Sequence, residues 1–284
     1  MDLILSVRTY TITSEAGGVG KTTLAANLAH AHTNHGCNVL AIDLDPQQAS
    51  LTHLLGISAP RNDANADNIA RHLIDKPQGS FDDLIHETTY GFDVIPSHSM
   101  LESLPSLLTK AETIADDIDE EFEPNLRLRR VLQEADISNQ YDTIIIDPSP
   151  TAGPRLYNAV AATGSLVIPI EPTGKGIEAV DGLRDIVSNL GNAIDLDIGV
   201  LAIVPNGVGR TTQQDDYVER IRQFGFNVPV VIRERSSLFE GCWNKQCTAF
   251  RYVAYHRDRR REYEIETLDR LRDLANSIEE AGER

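Results

Sequence analysis

Hydrophobic positions along this chain fall into two alternating patterns. Short, nearly continuous apolar runs recur at Val7 to Thr13, Val39 to Ile42, Phe92 to Ile95, Tyr141 to Ile146, Leu166 to Ile170, Ile198 to Val204 and Val228 to Ile232. Runs of that length suit strands buried on both faces. Between them lie stretches with apolar residues three and four apart, the spacing of one helix face. These predict helices over 24–35, where Leu24, Leu28 and Ala31 share a face, and over 51–56, 99–110, 125–135, 177–190 and 212–224. A surface helix is expected at 69–74, inside the polar stretch 58–80, and a final helix over about 262–280, with Ile265, Leu268, Leu271, Leu274 or Ala275, and Ile278 on one stripe. Strand alternating with helix predicts an α/β fold: a doubly wound, mostly parallel sheet with helices on both faces. Residues 1–284 are long enough for one large domain of this kind, and neither an internal repeat nor a low-complexity linker interrupts them.

The first apolar run leads into Ser14-Glu15-Ala16-Gly17-Gly18-Val19-Gly20-Lys21-Thr22-Thr23. Glycines between a strand and a helix let backbone N–H groups turn inward around a phosphate, and the helix N-terminus adds partial positive charge. In such a loop the lysine reaches the β- and γ-phosphates, and the following hydroxyl ligates Mg²⁺. The usual spacing is Gly, four residues, Gly-Lys-Thr; here Glu15 stands at the first glycine.

Two further runs end in acids. Val39 to Ile42 is followed by Asp43-Leu44-Asp45-Pro46-Gln47, and Tyr141 to Ile146 by Asp147-Pro148-Ser149-Pro150. Carboxylates at the carboxyl ends of parallel strands sit at the sheet edge where ligands bind, and strand alternation sends Asp43 and Asp45 to one side. A hydrophobic strand ending in Asp, downstream of a phosphate loop, has the form of a Walker B element that helps hold Mg²⁺.

Charge changes the picture of the surface. The formal net charge is -17, from 43 acidic and 26 basic residues. With only five lysines, that balance suits solution in concentrated salt, where like-charge repulsion is screened. Three cysteines (Cys37, Cys242, Cys247) are too few for a disulfide framework and fit a reducing cytoplasm. No apolar run reaches the roughly 18 residues of a membrane span, and the first residues lack a secretion signal. The acidic run between Asp116 and Glu123 reads as solvated. The densest basic cluster holds Arg251, Arg257, Arg259, Arg260 and Arg261 with Tyr252, Tyr255 and His256, a candidate contact for nucleic-acid phosphates.

Taken together, these residues resemble the ParA/MinD group of deviant Walker A ATPases, nearest the ParA branch that positions plasmids, chromosomes and other cargo. The likeness rests on Gly17 to Thr23, on Asp43 to Gln47 and on Asp147 to Pro150, with weaker support from Phe92 to Ser97 and from Leu238-Phe239-Glu240. It implies a P-loop fold and an ATP-bound homodimer that coats nucleoid DNA nonspecifically and is stimulated by a ParB-like partner. It implies that the amides of Gly17, Gly18, Val19, Gly20, Lys21, Thr22 and Thr23 hold the phosphates, and that Thr22, Asp43 and Asp147 hold Mg²⁺. Asp45 would orient the attacking water, Asn206 contact adenine, and Arg210 contact DNA. Two departures stand out. The family's signature lysine is replaced by Ala16, and Lys175 or Arg155 is the expected substitute, Lys175 first. Arg233 and Arg235 stand where relatives carry Pro and Asn near the base.

Two other function classes fit parts of the chain. A MinD-like positioner of a membrane or protein cargo would use a basic amphipathic C-terminal helix, whereas this one ends in Glu279, Glu280 and Glu283. An iron–sulfur relative would need cysteine ligands at a dimer interface.

Overall fold

The computed structural model describes residues 7–14, 17–47, 50–59 and 61–282. Among them, eight strands form one sheet: β1 (Arg8–Ile12), β2 (Val39–Leu44), β3 (His86–Glu87), β4 (Asp93–Ile95), β5 (Thr143–Pro148), β6 (Ser165–Ile170), β7 (Gly199–Val208) and β8 (Ile232–Arg233). Their spatial order is β3-β4-β2-β5-β1-β6-β7-β8. Every neighbouring pair is parallel except β3 with β4. On one side of β1 the chain steps outward through β6, β7 and β8; on the other it crosses first to β2 and β4 and then returns to place β5 beside β1. The crossovers β1 to β2 and β5 to β6 leave to opposite sides, so the crevice at the carboxyl end of β1 is the topological switch point where ligands bind in open α/β sheets.

The helices are α1 (Lys21–Asn34), α2 (Leu51–Leu54), α3 (Ile69–Leu73), α4 (Leu104–Asp117), α5 (Arg127–Glu134), α6 (Pro154–Thr163), α7 (Gly174–Ile194), α8 (Thr212–Gln223), α9 (Ser236–Lys245), α10 (Ala249–Tyr255) and α11 (Glu262–Gly282). They cover both faces, as the doubly wound expectation requires. The pleat of β5 shows the division. Ile145 packs with Leu28, Leu271 and Leu274 on one face. Ile144 and Ile146 pack with Leu104, Leu128 and Leu132 on the other. On α11, Leu268, Leu271, Leu274, Ala275 and Ile278 are all buried, each large side chain contributing about 1.5–3 kcal/mol of transfer free energy. This docks α11 alongside α1.

Several expectations change in detail. The helix at 69–74 is not a surface element, since Ile69 and Leu73 of α3 are fully buried. The apolar run 228–232 pairs only at Ile232–Arg233, because Pro229 has no N–H to donate to a ladder. The helical stretch from residue 99 starts as a 3-10 turn, Ser99–Ser103, and becomes α-helical at Leu104. Pro105 then sits in the first turn, where a missing N–H costs nothing.

Candidate functional site

The phosphate loop runs from the end of β1 into α1. Gly18 and Gly20 have φ of 83° and 89°, left-handed values that a side chain disfavours. At Gly20 there is a second constraint: a Cβ would collide with the amide nitrogen of Asn206. That amide donates to the Val19 carbonyl at 2.7 Å, so β7 braces the loop from the side. Glu15 and Ala16, including the position of the missing lysine, lie outside the described residues.

Three acids reach the same edge. Asp43 and Asp147 are direct register partners on adjacent strands β2 and β5. Asp43 is fully buried. One of its oxygens accepts from the Asp45 N–H at 3.0 Å; the other accepts from the Thr52 N–H at 2.7 Å and the Thr52 hydroxyl at 2.5 Å. Burial raises its pKa to about 6 against the pull of those donors. Asp147 is 1% exposed, and neither of its oxygens has a hydrogen-bond partner among the described residues. The Thr22 hydroxyl faces it and pulls its pKa down without forming a well-aligned bond. Burial, then the Asp43 charge, push that carboxyl well above the usual range.

Lys21, 8% exposed, lies within the field of Asp147 and Asp45. Burial lowers its pKa and the two acids oppose the shift. Asp45 accepts from the Gln47 N–H at 3.0 Å, and its backbone carbonyl accepts from the Ser97 hydroxyl at 2.6 Å. The Ser97 N–H donates to the Thr52 hydroxyl at 2.8 Å. Thr52 and Ser97 therefore fix Asp43 at the end of β2 and Asp45 just beyond it. Sequence reasoning gave Thr52 no role; its signal was only a hydroxyl nine residues past Asp43, at the start of a short helix.

The residues present fit a magnesium–phosphate group. An unpartnered buried carboxylate beside a hydroxyl offers oxygen ligands to a hard cation, and the glycine cradle offers amides to an anion. Against the loop lies a cavity of about 230 Å³, bounded by Gly18, Val19, Asn206, Ile232, Phe239 and Leu271. Its far wall is apolar, as a flat base requires. Trp243 donates from Nε1 to the Thr23 hydroxyl at 3.2 Å, which links α9 to the first turn of α1. This contact has no motif in the sequence.

The remaining expected residues divide. Lys175 is exposed in the first turn of α7, which follows the carboxyl end of β6. Arg155, its rival, is committed within its own chain: Nε donates to the Ser149 hydroxyl at 3.0 Å and Nη1 to the Leu101 carbonyl at 2.7 Å. Arg210, Arg259, Arg260 and Arg261 are exposed. Arg257 is not a surface cation. It points inward to Glu264 at 2.6 Å, an acid that is 0% exposed, and stacks on the Tyr252 ring; burying Glu264 demands a counter-charge. Arg233 and Arg235 bond to their own surroundings, Arg233 to the Gly209 carbonyl and Asp215, and Arg235 to the Tyr263 carbonyl and Thr267. Cys242 and Cys247 are buried, and burial raises both thiols, Cys247 to about 11; Cys37 is half-buried.

A doubly wound parallel sheet with a glycine-rich loop after β1 and acids at the ends of β2 and β5 defines a P-loop nucleotide-binding protein. Residues 7–199 match the AAA domain family. The chain is 30% identical to the chromosome-partitioning ATPase Soj of Thermus thermophilus over 213 residues, covering 73% of this chain and 74% of that one. It belongs to the ParA/MinD family, whose members are ATPases. Its fold is similar to that of apo McdA from Cyanothece, with a TM-score of 0.74 at 20% identity over 97% of this chain and 99% of that one. It is also similar to MinD complexed with Mg-ADP from Pyrococcus horikoshii, with a TM-score of 0.70 at 22% identity over 97% of each chain. No helix among the described residues is long and apolar enough to cross a membrane.

Proposed function

We propose that this chain is a ParA-like positioning ATPase that binds and slowly hydrolyses Mg-ATP. The observation that carries the reading is the buried carboxylate of Asp147, unpartnered beside Thr22 and Lys21 and in register with Asp43. The structural neighbours solved with Mg-ADP and with ATP support the ligand. When bound, Mg²⁺ neutralises charge on the phosphate oxygens during transfer. The loop amides from Gly17 to Thr23 hold the phosphate chain, and Lys21 lends it a point charge. Thr22, Asp43 and Asp147 hold the cation. Asp45 orients the attacking water, with its backbone fixed by Ser97. Positioning and charge complementarity are what phosphoryl transfer asks of a protein.

The finer reading is an ATP-dependent homodimer, in one domain, that binds DNA nonspecifically through Arg210, Arg259, Arg260 and Arg261 and answers to a ParB-like partner. It would act in the cytoplasm on the nucleoid. Lys175 replaces the cation lost at Ala16, crossing to the partner's phosphates; Arg155 is held too firmly at home to do so. The MinD-like alternative is disfavoured because the apolar stripe of α11 is spent on packing against the body.

ATP turnover with and without DNA, alongside the oligomeric state in ADP and ATP, tests the proposal. Stimulated turnover and an ATP-specific dimer are expected. Absence of ATP binding overturns the whole reading; turnover indifferent to DNA and to nucleotide-dependent assembly overturns the finer one. Equal rates and dimer yields for Lys175→Ala and wild type would remove Lys175. DNA retention should fall steeply with salt.

A further inference from the structure

A second cluster of ligand-bearing side chains lies away from the nucleotide site, where the carboxyl end of α1 meets the carboxyl end of α11. His32 and His35 sit one turn apart, and both turn Nδ1 toward the same oxygen of Glu279, at 2.6 and 3.0 Å. Among the described residues this is the one group of three such side chains whose ligand atoms converge, all lying within 4.8 Å of one another. Its depth is graded. The His32 side chain is 0% exposed, while those of His35 and Glu279 are 21% and 20% exposed. The site thus has a fixed floor and an open mouth. Beneath it, the second ring nitrogen of His32 meets the Tyr10 hydroxyl at 2.9 Å, on strand β1.

We propose that His32, His35 and Glu279 form a divalent transition-metal site of the zinc class, which clamps α11 to α1. Two imidazoles and a carboxylate are a borderline ligand set that suits Zn²⁺, with a fourth position left for water. A tetrahedral ion at about 2.0–2.1 Å from each ligand sets donor atoms about 3.3–3.4 Å apart. The two spacings to Glu279, 2.6 and 3.0 Å, open to that value by less than an ångström, while the two Nδ1 atoms, within 4.8 Å of each other, adjust to it by rotation of the more exposed His35 ring. The metal takes the place on each Nδ1 of the proton now shared with Glu279. Neutral His32 then carries its proton on Nε2, facing the Tyr10 oxygen. This outer contact fixes the ring orientation, as second partners of metal-bound histidines do. The site closes a link over nearly the whole chain, from the phosphate-loop helix to α11, whose Leu271 lines the nucleotide cavity.

Untagged protein, stripped with a chelator and held in excess Mg²⁺ to fill the acidic nucleotide site, is titrated with Zn²⁺. One equivalent should bind with micromolar or tighter affinity and raise the melting temperature. His35→Ala and Glu279→Gln should each weaken binding about tenfold or more and lose the thermal shift. Circular dichroism confirms that each variant is folded; His35, on the open side, is the safer of the two. Co²⁺ as a probe should give a ligand-field spectrum without a thiolate charge-transfer band. Absence of Zn²⁺ binding, wild-type binding by both variants, or a thiolate band would each overturn the proposal.

Discussion

Asp43 and Asp147 stand opposite each other in the β2–β5 register, yet only one of them is satisfied by the protein. Asp43 holds Thr52 and Asp45; Asp147 holds nothing among the described residues. Two buried like charges side by side oppose folding, and Lys21 offsets them only in part.

The two acids should therefore respond differently to neutralisation. Asp43→Asn removes acceptors from Thr52 and should destabilise the metal-free protein by about 1–3 kcal/mol. Asp147→Asn relieves repulsion without breaking a bond and should leave the metal-free melting temperature unchanged or raise it. Saturating Mg-ATP at about a hundred times its Kd adds about 2.7 kcal/mol to a binding-competent protein. Both variants should lose most of that gain, measured by thermal unfolding with and without Mg-ATP.

The sheet and the phosphate loop were legible in the sequence because both depend on local pattern. Buried parallel strands must be apolar throughout, and a phosphate cradle needs glycine at set positions. The grip of Thr52 on Asp43 and of Ser97 on the Asp45 backbone was not legible, because it joins residues 9 and 52 positions apart through bonds that no local pattern marks. Arg257 misled for the opposite reason. In sequence it belongs to a basic cluster, but its partner Glu264 becomes visible only when the turn before α11 folds back. The helices α9 and α10 were missed because their apolar faces are short and interrupted by polar residues that serve the core, such as Thr248, which is buried and caps α10.

Gly20 should tolerate no side chain. Its φ of 89° costs an L-residue about 1–2 kcal/mol, and a Cβ also displaces the Asn206 amide from its bond to the Val19 carbonyl. Gly20→Ala is expected to lower stability by at least that amount and to abolish ATP binding. Adding Asn206→Ala removes the collision but leaves the backbone penalty, so stability should recover in part and binding should not. Denaturant unfolding and ATP titration of the single and double variants check both.

Trp243 is the chain's single tryptophan, and its indole N–H donates to Thr23 in the first turn of α1. It also stacks on His53, 6.2 Å between ring centroids. Filling the phosphate loop beside Thr23 should alter its emission, giving a direct binding signal. Lys21→Ala should weaken ATP tenfold or more, about 1.4 kcal/mol, and shift the titration accordingly. A Trp243 signal unaffected by ATP that binds by another measure would show that the α9 contact is uncoupled from the loop.

His30 gives the fold an acid-side weakness. It sits in a cleft between α1, α10 and α11, with Nδ1 against the Thr248 hydroxyl at 2.7 Å and the rings of Phe250 and Tyr90 beside it. Burial, then the charges of Arg251 and Arg272, hold its pKa down at about 4, and Arg260 lines the same cleft. The unfolded chain takes up a proton near pH 6.5 that the folded chain refuses until about pH 4. The unfolded state then binds more protons, so stability falls as pH drops through that window and levels off below it. His30→Asn keeps a polar partner for Thr248 and cannot titrate. Wild type should lose about 1–3 kcal/mol relative to this variant between pH 7 and pH 4. Chemical denaturation of both proteins across that range measures the difference, in which the titrations of Asp43 and Asp147 cancel; a gap that does not change with pH would refute the assignment.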